Sequence, residues 1–133
     1  MTSKVIYLGE LRTESEHLQS GSKMITDAPV DNHGKGEAFS PTDTVANAVA
    51  TCMLTVMGIK ADSLGIDMKG TRAEVTKTMA SDPRRISRID VEVKFSSSYS
   101  EKETKILENT GRTCPVLESL HPDIEKNITF SYS

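Results

Sequence analysis

The chain contains only two cysteines, Cys52 and Cys114, and these are the residues best suited to chemistry. A thiolate is the strongest nucleophile among ordinary side chains near neutral pH, and two thiols that meet can alternate between a dithiol and a disulfide. If the two thiols meet in the fold, they predict a redox catalyst. If they lie apart, the chain is a small globular protein whose sequence does not reveal its function.

Cys52 and Cys114 lie in different local sequences. Cys52 is in the middle of an apolar helical segment, where no helix N-terminus can lower its pKa and no Lys or Arg lies within one turn. A buried structural cysteine is therefore one interpretation of Cys52. Cys114 precedes Pro115 at the predicted start of a short helix, where backbone N–H groups favour an anion. The alternative role for Cys114 is that of a small capping residue.

The composition excludes several classes of function. A length of 133 residues indicates one domain or one half of an obligate dimer. The chain is 36% hydrophobic and 26% charged, and its formal net charge is -3. The negative charge argues against nucleic acid or an anionic membrane as partner. No apolar stretch approaches the ~20 residues that cross a bilayer, and no signal peptide is visible, so we expect a cytoplasmic protein. The cysteine and histidine spacing predicts no metal and no other cofactor.

The pattern of apolar residues predicts the elements that must position the thiols. Two strands are expected first, Lys4–Thr13 and His17–Thr26, followed by a loop from Asp27 to Phe39. The segment Ser40-Pro41-Thr42-Asp43 then has a capping serine, a proline at the first helical position and an acidic residue three places after the cap. The helix that begins there ends at Leu64-Gly65 and has no charge between Asp43 and Lys60, which predicts a buried central helix.

The second half of the chain predicts a hairpin, two helices and a last strand. The expected elements are, in order, a strand from Ala73 to Met79, a turn at Ser81-Asp82-Pro83, a strand from Ile89 to Phe95, a helix from Ser100 to Gly111, a short helix from Thr113 or Cys114, and a strand from Ile128 to Tyr132. The order β-β-α-β-β-α-α-β predicts an α+β domain with antiparallel hairpins packed on helices. A second copy of the chain would be a natural cover for so apolar a central helix.

Cys52 can react only if a positive charge reaches it from elsewhere in the chain, and Arg12 or another distant cation would supply that charge. Asp43 has two interpretations: it stabilises the helix start, or it orients a guanidinium through a bidentate pair. Met53 and Met57 are more often core residues than ligand contacts.

Taken together, these segments resemble the OsmC/Ohr family of osmotically inducible and organic-hydroperoxide-resistance proteins, and its general OsmC-like branch in particular. The resemblance is carried by Gly34-Lys35-Gly36-Glu37-Ala38-Phe39-Ser40-Pro41-Thr42-Asp43 before the helix with Cys52, and by Thr113-Cys114-Pro115-Val116 near the end of the chain. The order of strands and helices also agrees, so the resemblance covers nearly the whole chain.

The resemblance implies a thiol peroxidase with an OsmC-like fold, in which an intertwined homodimer has its sites at the subunit interface. Cys52 would attack an organic hydroperoxide or hydrogen peroxide, Cys114 would resolve the resulting sulfenic acid, and a dithiol reductant would reset the pair. Arg12 would activate Cys52, and Asp43 would hold Arg12 where the family usually has a glutamate.

The resemblance also implies a place for the substrate. An apolar wall of Met53, Val56 and Met57 would hold the alkyl part of an organic hydroperoxide. The alternative function is a non-enzymatic, stress-related protein that binds an apolar small molecule at the dimer interface, with both thiols serving only as packing residues. Contact between the two sulfurs distinguishes the two hypotheses, because only the peroxidase needs it.

Overall fold

The computed structural model describes all residues from Met1 to Ser133. Its elements are β1 (Ser3–Gly9), β2 (Arg12–His17), β3 (Lys23–Asp27), a short 3-10 helix (Val30–Asn32), α1 (Pro41–Leu64), β4 (Arg72–Ala80), β5 (Arg85–Lys94), α2 (Glu101–Arg112), α3 (Pro115–Ser119) and β6 (Glu125–Ser131). The chain divides into two compact units, Met1–Val45 and Ala46–Ser133. The α+β class is confirmed.

The first unit is an antiparallel sheet in the order β1-β2-β3. It corrects the prediction of two strands, because the segment Lys4–Thr13 contains a chain reversal. Gly9, Glu10 and Leu11 have φ angles of 86°, 55° and 65°, and a left-handed backbone cannot continue a strand. The predicted second strand, His17–Thr26, is likewise interrupted: it shares only His17 with β2, then crosses a turn, and its second half is β3.

The second unit is built on a sheet in the order β4-β5-β6. The strands β4 and β5 form the predicted antiparallel hairpin, with Val75 opposite Val91. The strand β6 runs parallel to β5, with Val91 opposite Ile128, a pairing that the sequence analysis did not predict. The physical reason is that α2 and α3 form a crossover between β5 and β6, and a crossover brings the chain back in its original direction.

The helix α1 is confirmed, but it is buried along one side only. Its fully covered residues are Ala46, Val49, Ala50, Met53, Met57 and Ala61. These residues join the inward face of β5 and residues of α2 and α3 in one apolar core. Ile59 on the other side of the helix is 67% exposed, although the sequence predicts burial. By length and composition alone α1 could cross a membrane, a test that the core helix of a soluble protein also passes.

An ionic network on the solvent-facing side of the sheet reinforces the pairing of β5 with β6. The Asp90 carboxylate accepts hydrogen bonds from Arg88 Nε and Nη2 and from Asn127 Nδ2, while Arg88 Nη1 donates to Glu125 at 2.7 Å. Arg88, and then Asn127, lower the pKa of Asp90 from its ordinary value of 3.8. A carboxylate with a lowered pKa in the folded state stabilises the fold above its ordinary pKa, and this contribution is lost as the pH falls through the folded value.

We expect Asp90→Asn to lower the melting temperature at pH 7 more than at pH 3, because the wild-type carboxylate loses its advantage on protonation. Thermal unfolding followed by circular dichroism at both pH values measures this difference. Glu92→Gln is the matched control, since Glu92 on the same strand has only a 3.9 Å ion pair with Lys94, which itself pairs more closely with Glu74 at 2.6 Å. An equal loss at both pH values would contradict an ionic role for Asp90.

Candidate active site

The two thiols lie together in the second unit. Cys52 is half-buried on α1, and Cys114, which is 1% exposed, is the residue that caps α3. Both are free thiols, and they lie close enough together that Cys52 raises the pKa of the Cys114 thiol. Two strands and the helix α2 separate these residues in the sequence, and the fold brings their side chains close together.

A glycine determines how Cys114 reaches α1. Near the end of α2, Gly111 packs so closely on α1 that a Cβ atom at this position would lie 2.8 Å from Met57 Sδ and 3.4 Å from Met53 Cε. The backbone N–H of Cys114 then donates to the Gly111 carbonyl at 3.4 Å. Because Met53 lies next to Cys52 in the sequence, the contact that fixes the end of α2 also fixes the approach of one thiol to the other.

The local electrostatics of Cys114 favour its protonated form. Burial raises the pKa of the Cys114 thiol above its ordinary value of 9.0, and the neighbouring Cys52 raises it further. The backbone N–H of Leu117 points at Cys114 Sγ from 3.5 Å and acts in the opposite direction, as a donor does toward a forming thiolate. Cys114 is therefore a thiol at neutral pH with one hydrogen-bond donor already aimed at its sulfur.

The predicted apolar wall needs a correction. Met53 and Met57 are 0% exposed, so they are core residues and present no surface to a substrate. The physical reason is the close contact with Gly111, which closes the core over both thioethers. Val56, the third predicted residue, is half-buried and lies one helical turn after Cys52. Ile59, three residues after Val56, is exposed. The sequence analysis did not include Ile59 in the apolar wall.

Arg12 lies in the first unit, at the start of β2, and its partner differs from the predicted one. Its Nε and Nη2 donate to the two carboxylate oxygens of Asp27 at 2.7 and 2.8 Å, and Nη2 lies 3.9 Å from the Glu37 carboxylate. The Asp27 side chain is almost completely buried, and the hydrogen bond from Arg12 lowers its pKa. Sequence reasoning missed Asp27, although the register of β2 and β3 places it directly opposite Arg12.

Asp43 completes the cap of α1. Its backbone N–H donates to Ser40 Oγ at 3.0 Å, and its carboxylate accepts from the Ser40 backbone N–H at 3.1 Å, which is a reciprocal capping box. The two carboxylates that form ion pairs with Arg12 are those of Asp27 and Glu37. These two hydrogen bonds support the helix-start interpretation of Asp43.

The arrangement can perform two-electron sulfur chemistry. Two reduced sulfurs in contact can be joined by loss of two electrons and two protons, and separated again by a dithiol. No group of three or more His, Cys, Asp or Glu side chains in the chain is placed to hold a metal ion.

Comparisons with known proteins agree with this architecture. Residues 34–129 match the family described as OsmC-like protein. A crystal structure from Psychrobacter arcticus, provisionally named an osmotic stress induced and detoxification response protein, is 55% identical over 98% of this chain and 96% of that chain, with a TM-score of 0.95. Among curated proteins, none matches this chain significantly.

More distant structures share the fold. An organic hydroperoxide resistance protein OsmC from Legionella pneumophila is 15% identical over 98% of this chain and 97% of that chain, with a TM-score of 0.71. An OsmC like protein from Mycoplasma pneumoniae is 16% identical over 98% of this chain and 94% of that chain, with a TM-score of 0.77.

We expect Gly111→Ala to lower the free energy of unfolding by about 1–3 kcal/mol, the usual cost of an added methyl group in a packed core. Urea denaturation of the reduced protein measures this change. Gly58→Ala is the matched control: Gly58 is also helical, but a Cβ atom there meets nothing within 4 Å, so alanine should stabilise by about 0.5–1 kcal/mol. Equal effects of the two substitutions would show that the contact between α1 and α2 is not tight.

Proposed function

This chain is a member of the OsmC-like protein family, and we propose that it is a cysteine-based thiol peroxidase that reduces organic hydroperoxides. The observation that carries the proposal is the proximity of the Cys52 and Cys114 side chains, which is close enough for Cys52 to raise the pKa of the Cys114 thiol. A cysteine that only fills the core needs no second thiol beside it. The alternative, a protein that binds an apolar molecule without catalysis, gives no reason for the two sulfurs to meet.

The first step oxidises Cys52. Its thiolate attacks the outer oxygen of the hydroperoxide, an S–O bond forms and the O–O bond breaks. The alkoxide that leaves takes up a proton and departs as an alcohol. The electron pair has moved from sulfur to the peroxide, and Cys52 becomes a sulfenic acid. Half-burial suits Cys52 to this step, because a peroxide can reach the sulfur while bulk water is partly excluded.

The second step forms the disulfide. Cys114 sulfur attacks Cys52 sulfur, an S–S bond forms, and hydroxide leaves and combines with the Cys114 proton as water. Burial supports this division of roles, since it keeps Cys114 protonated until the sulfenic acid has formed. The Leu117 N–H stabilises the negative charge that develops on Cys114 Sγ during the attack. A dithiol reductant then returns two electrons and two protons to the pair.

The substrate class follows from the surface beside Cys52. Val56 is half-buried and Ile59 is 67% exposed on the same side of α1, so we place the alkyl part of the hydroperoxide along these side chains. Hydrogen peroxide lacks that part and would react without this contribution to binding.

We propose Arg12 as the group that stabilises the Cys52 thiolate, because a positive charge favours a thiolate in an apolar site.

A homodimer is proposed as the working form. The side chains of β1 are exposed on both faces of the strand, with Val5 at 63%, Ile6 at 59%, Tyr7 at 62% and Leu8 at 51%. So many adjacent apolar side chains mark an interaction surface. We propose that a second copy of the chain covers these side chains, as the family resemblance implies. The cytoplasmic location stays a prediction, and a reducing compartment would supply the dithiol.

We expect Cys52→Ser to abolish dithiol-dependent consumption of an alkyl hydroperoxide, because the attacking sulfur is gone. Cys114→Ser should consume about one equivalent and then stop, because the sulfenic acid has no partner. Peroxide loss is measured colorimetrically, and mass spectrometry of the wild type after one equivalent should show a Cys52–Cys114 crosslink. Full turnover by Cys52→Ser would overturn the mechanism.

We expect the protein to sediment as a dimer of its 14.5 kDa chain at micromolar concentration. Ile6→Asp should shift the distribution toward the monomer, because a charge at a covered apolar position is costly. Lys4→Asp on the same strand is the control and should leave the dimer in place, because Lys4 is already an exposed, charged side chain. A wild-type monomer at these concentrations would contradict the proposal.

A further inference from the structure

We propose that the reductant reopens the disulfide by attacking the Cys52 sulfur, so that the mixed disulfide forms on Cys52 and Cys114 is the sulfur that leaves. This inference rests on the proposed peroxidase function, which makes the disulfide, and deepens it by assigning the reductant to one of the two sulfurs. A disulfide offers both of its sulfurs to an incoming thiolate, and access is one of the factors that decide between them.

The two sulfurs differ in their access to solvent. Cys114 is 1% exposed and belongs to one apolar core with Met53 and Leu107, which are 0% exposed, and with Leu117, which is 9% exposed. Cys52 is only half-buried on α1. A thiolate from solvent can therefore reach the sulfur of Cys52, whereas it reaches that of Cys114 only when the core opens.

The neighbours of Cys52 on α1 are small and exposed. Thr51 precedes it, and Thr55 lies about one turn after it. The Thr51 hydroxyl donates to the Ala48 carbonyl at 3.1 Å, and the Thr55 hydroxyl donates to the Thr51 carbonyl at 2.7 Å. Both hydroxyls are thus bonded to the backbone of their own helix and do not extend into solvent. This side of α1 leaves room for a reductant that approaches Cys52.

The quality of the leaving group acts in the opposite direction. Burial raises the pKa of Cys114, and a thiol with a higher pKa leaves less readily. The backbone N–H groups of Leu117 and Val116 act to lower this pKa, and the Leu117 nitrogen lies 3.5 Å from Cys114 Sγ. The leaving sulfur therefore returns to donors that are already in place. A poorer leaving group slows the exchange by degree, whereas an enclosed sulfur does not react until the structure opens locally.

The electrons and protons of this route balance. The first thiolate of the reductant forms an S–S bond with Cys52, the bond between Cys52 and Cys114 breaks, and its electron pair goes to Cys114, which takes up a proton. The second thiol of the reductant then attacks the reductant's own sulfur in the mixed disulfide. The reductant leaves as a disulfide, and Cys52 is released as a thiolate. Oxidant and reductant both react at Cys52, and Cys114 meets neither.

The test traps the mixed disulfide with a monothiol, which has no second thiol to complete the reaction. The wild-type disulfide is prepared with diamide, treated with β-mercaptoethanol and quenched with acid at early times. Cleavage after Lys and Arg places the two cysteines on different peptides, so mass spectrometry locates the adduct. We expect at least about tenfold more adduct on Cys52 than on Cys114. Equal adducts, or an excess on Cys114, would overturn the inference.

A variant that uncovers Cys114 tests the physical cause. Leu117→Ala shortens a side chain that packs in the same core, and it should raise the share of adduct on Cys114 by about threefold or more. Ile86→Ala is the matched control, because Ile86 is also 9% exposed but lies on β5, and its ratio should stay close to the wild type. Equal shifts in the two variants would overturn burial of Cys114 as the cause. The wild-type ratio decides the direction of attack even where a variant folds poorly.

The two proposals fail separately, because diamide makes the disulfide without any peroxide. A protein that does not consume hydroperoxide but gives the adduct on Cys52 would overturn the proposed function alone. A protein that consumes hydroperoxide but gives the adduct on Cys114 would overturn this inference alone. A wild-type chain in which diamide forms no crosslink between Cys52 and Cys114 would overturn both.

Discussion

The contact between α1 and the C-terminal end of α2 is the constraint on which the candidate site depends. The two helices approach so closely because Gly111 has no side chain where Met53 and Met57 fill the core. This approach places Cys114, which is itself part of the core, beside Cys52. The position of the sulfurs is thus a by-product of core packing, which makes it rigid. It also explains why the methionines belong to the support of the site and not to its surface.

The two units each contain a buried ionisable group, and the two groups are in different charge states. In the second unit, burial holds Cys114 neutral, and a single backbone N–H is aimed at its sulfur. In the first unit, the nearly buried carboxylate of Asp27 stays charged, because Arg12 meets it with two hydrogen bonds. A buried charge is tolerated only with such compensation. Burial therefore keeps a thiol protonated in one unit, and hydrogen bonds keep a nearly buried carboxylate charged in the other.

Much of the fold can be predicted from the sequence where local signals agree. The start of α1 is such a case, because the cap at Ser40, the proline at the next position and the carboxylate of Asp43 all favour the same boundary. The reversal at Gly9–Leu11 could not be found in this way, since Leu11 continues the apolar alternation of β1 while its backbone turns back. Missing that turn also hid the register that sets Arg12 opposite Asp27. The proximity of the two cysteines came only from a family resemblance, because no local pattern reports contacts across two helices.

The position of Cys114 at the start of α3 links chemistry to secondary structure. Its sulfur accepts the Leu117 N–H, and this is the side-chain cap of a helix of only five residues, Pro115–Ser119. A sulfur bound to a second sulfur has less negative charge to offer an N–H group, and its direction is dictated by the new bond. Each cycle of oxidation and reduction would therefore loosen and re-form a single helical turn, so that a covalent event at one atom becomes a change of shape in the peptide that follows it.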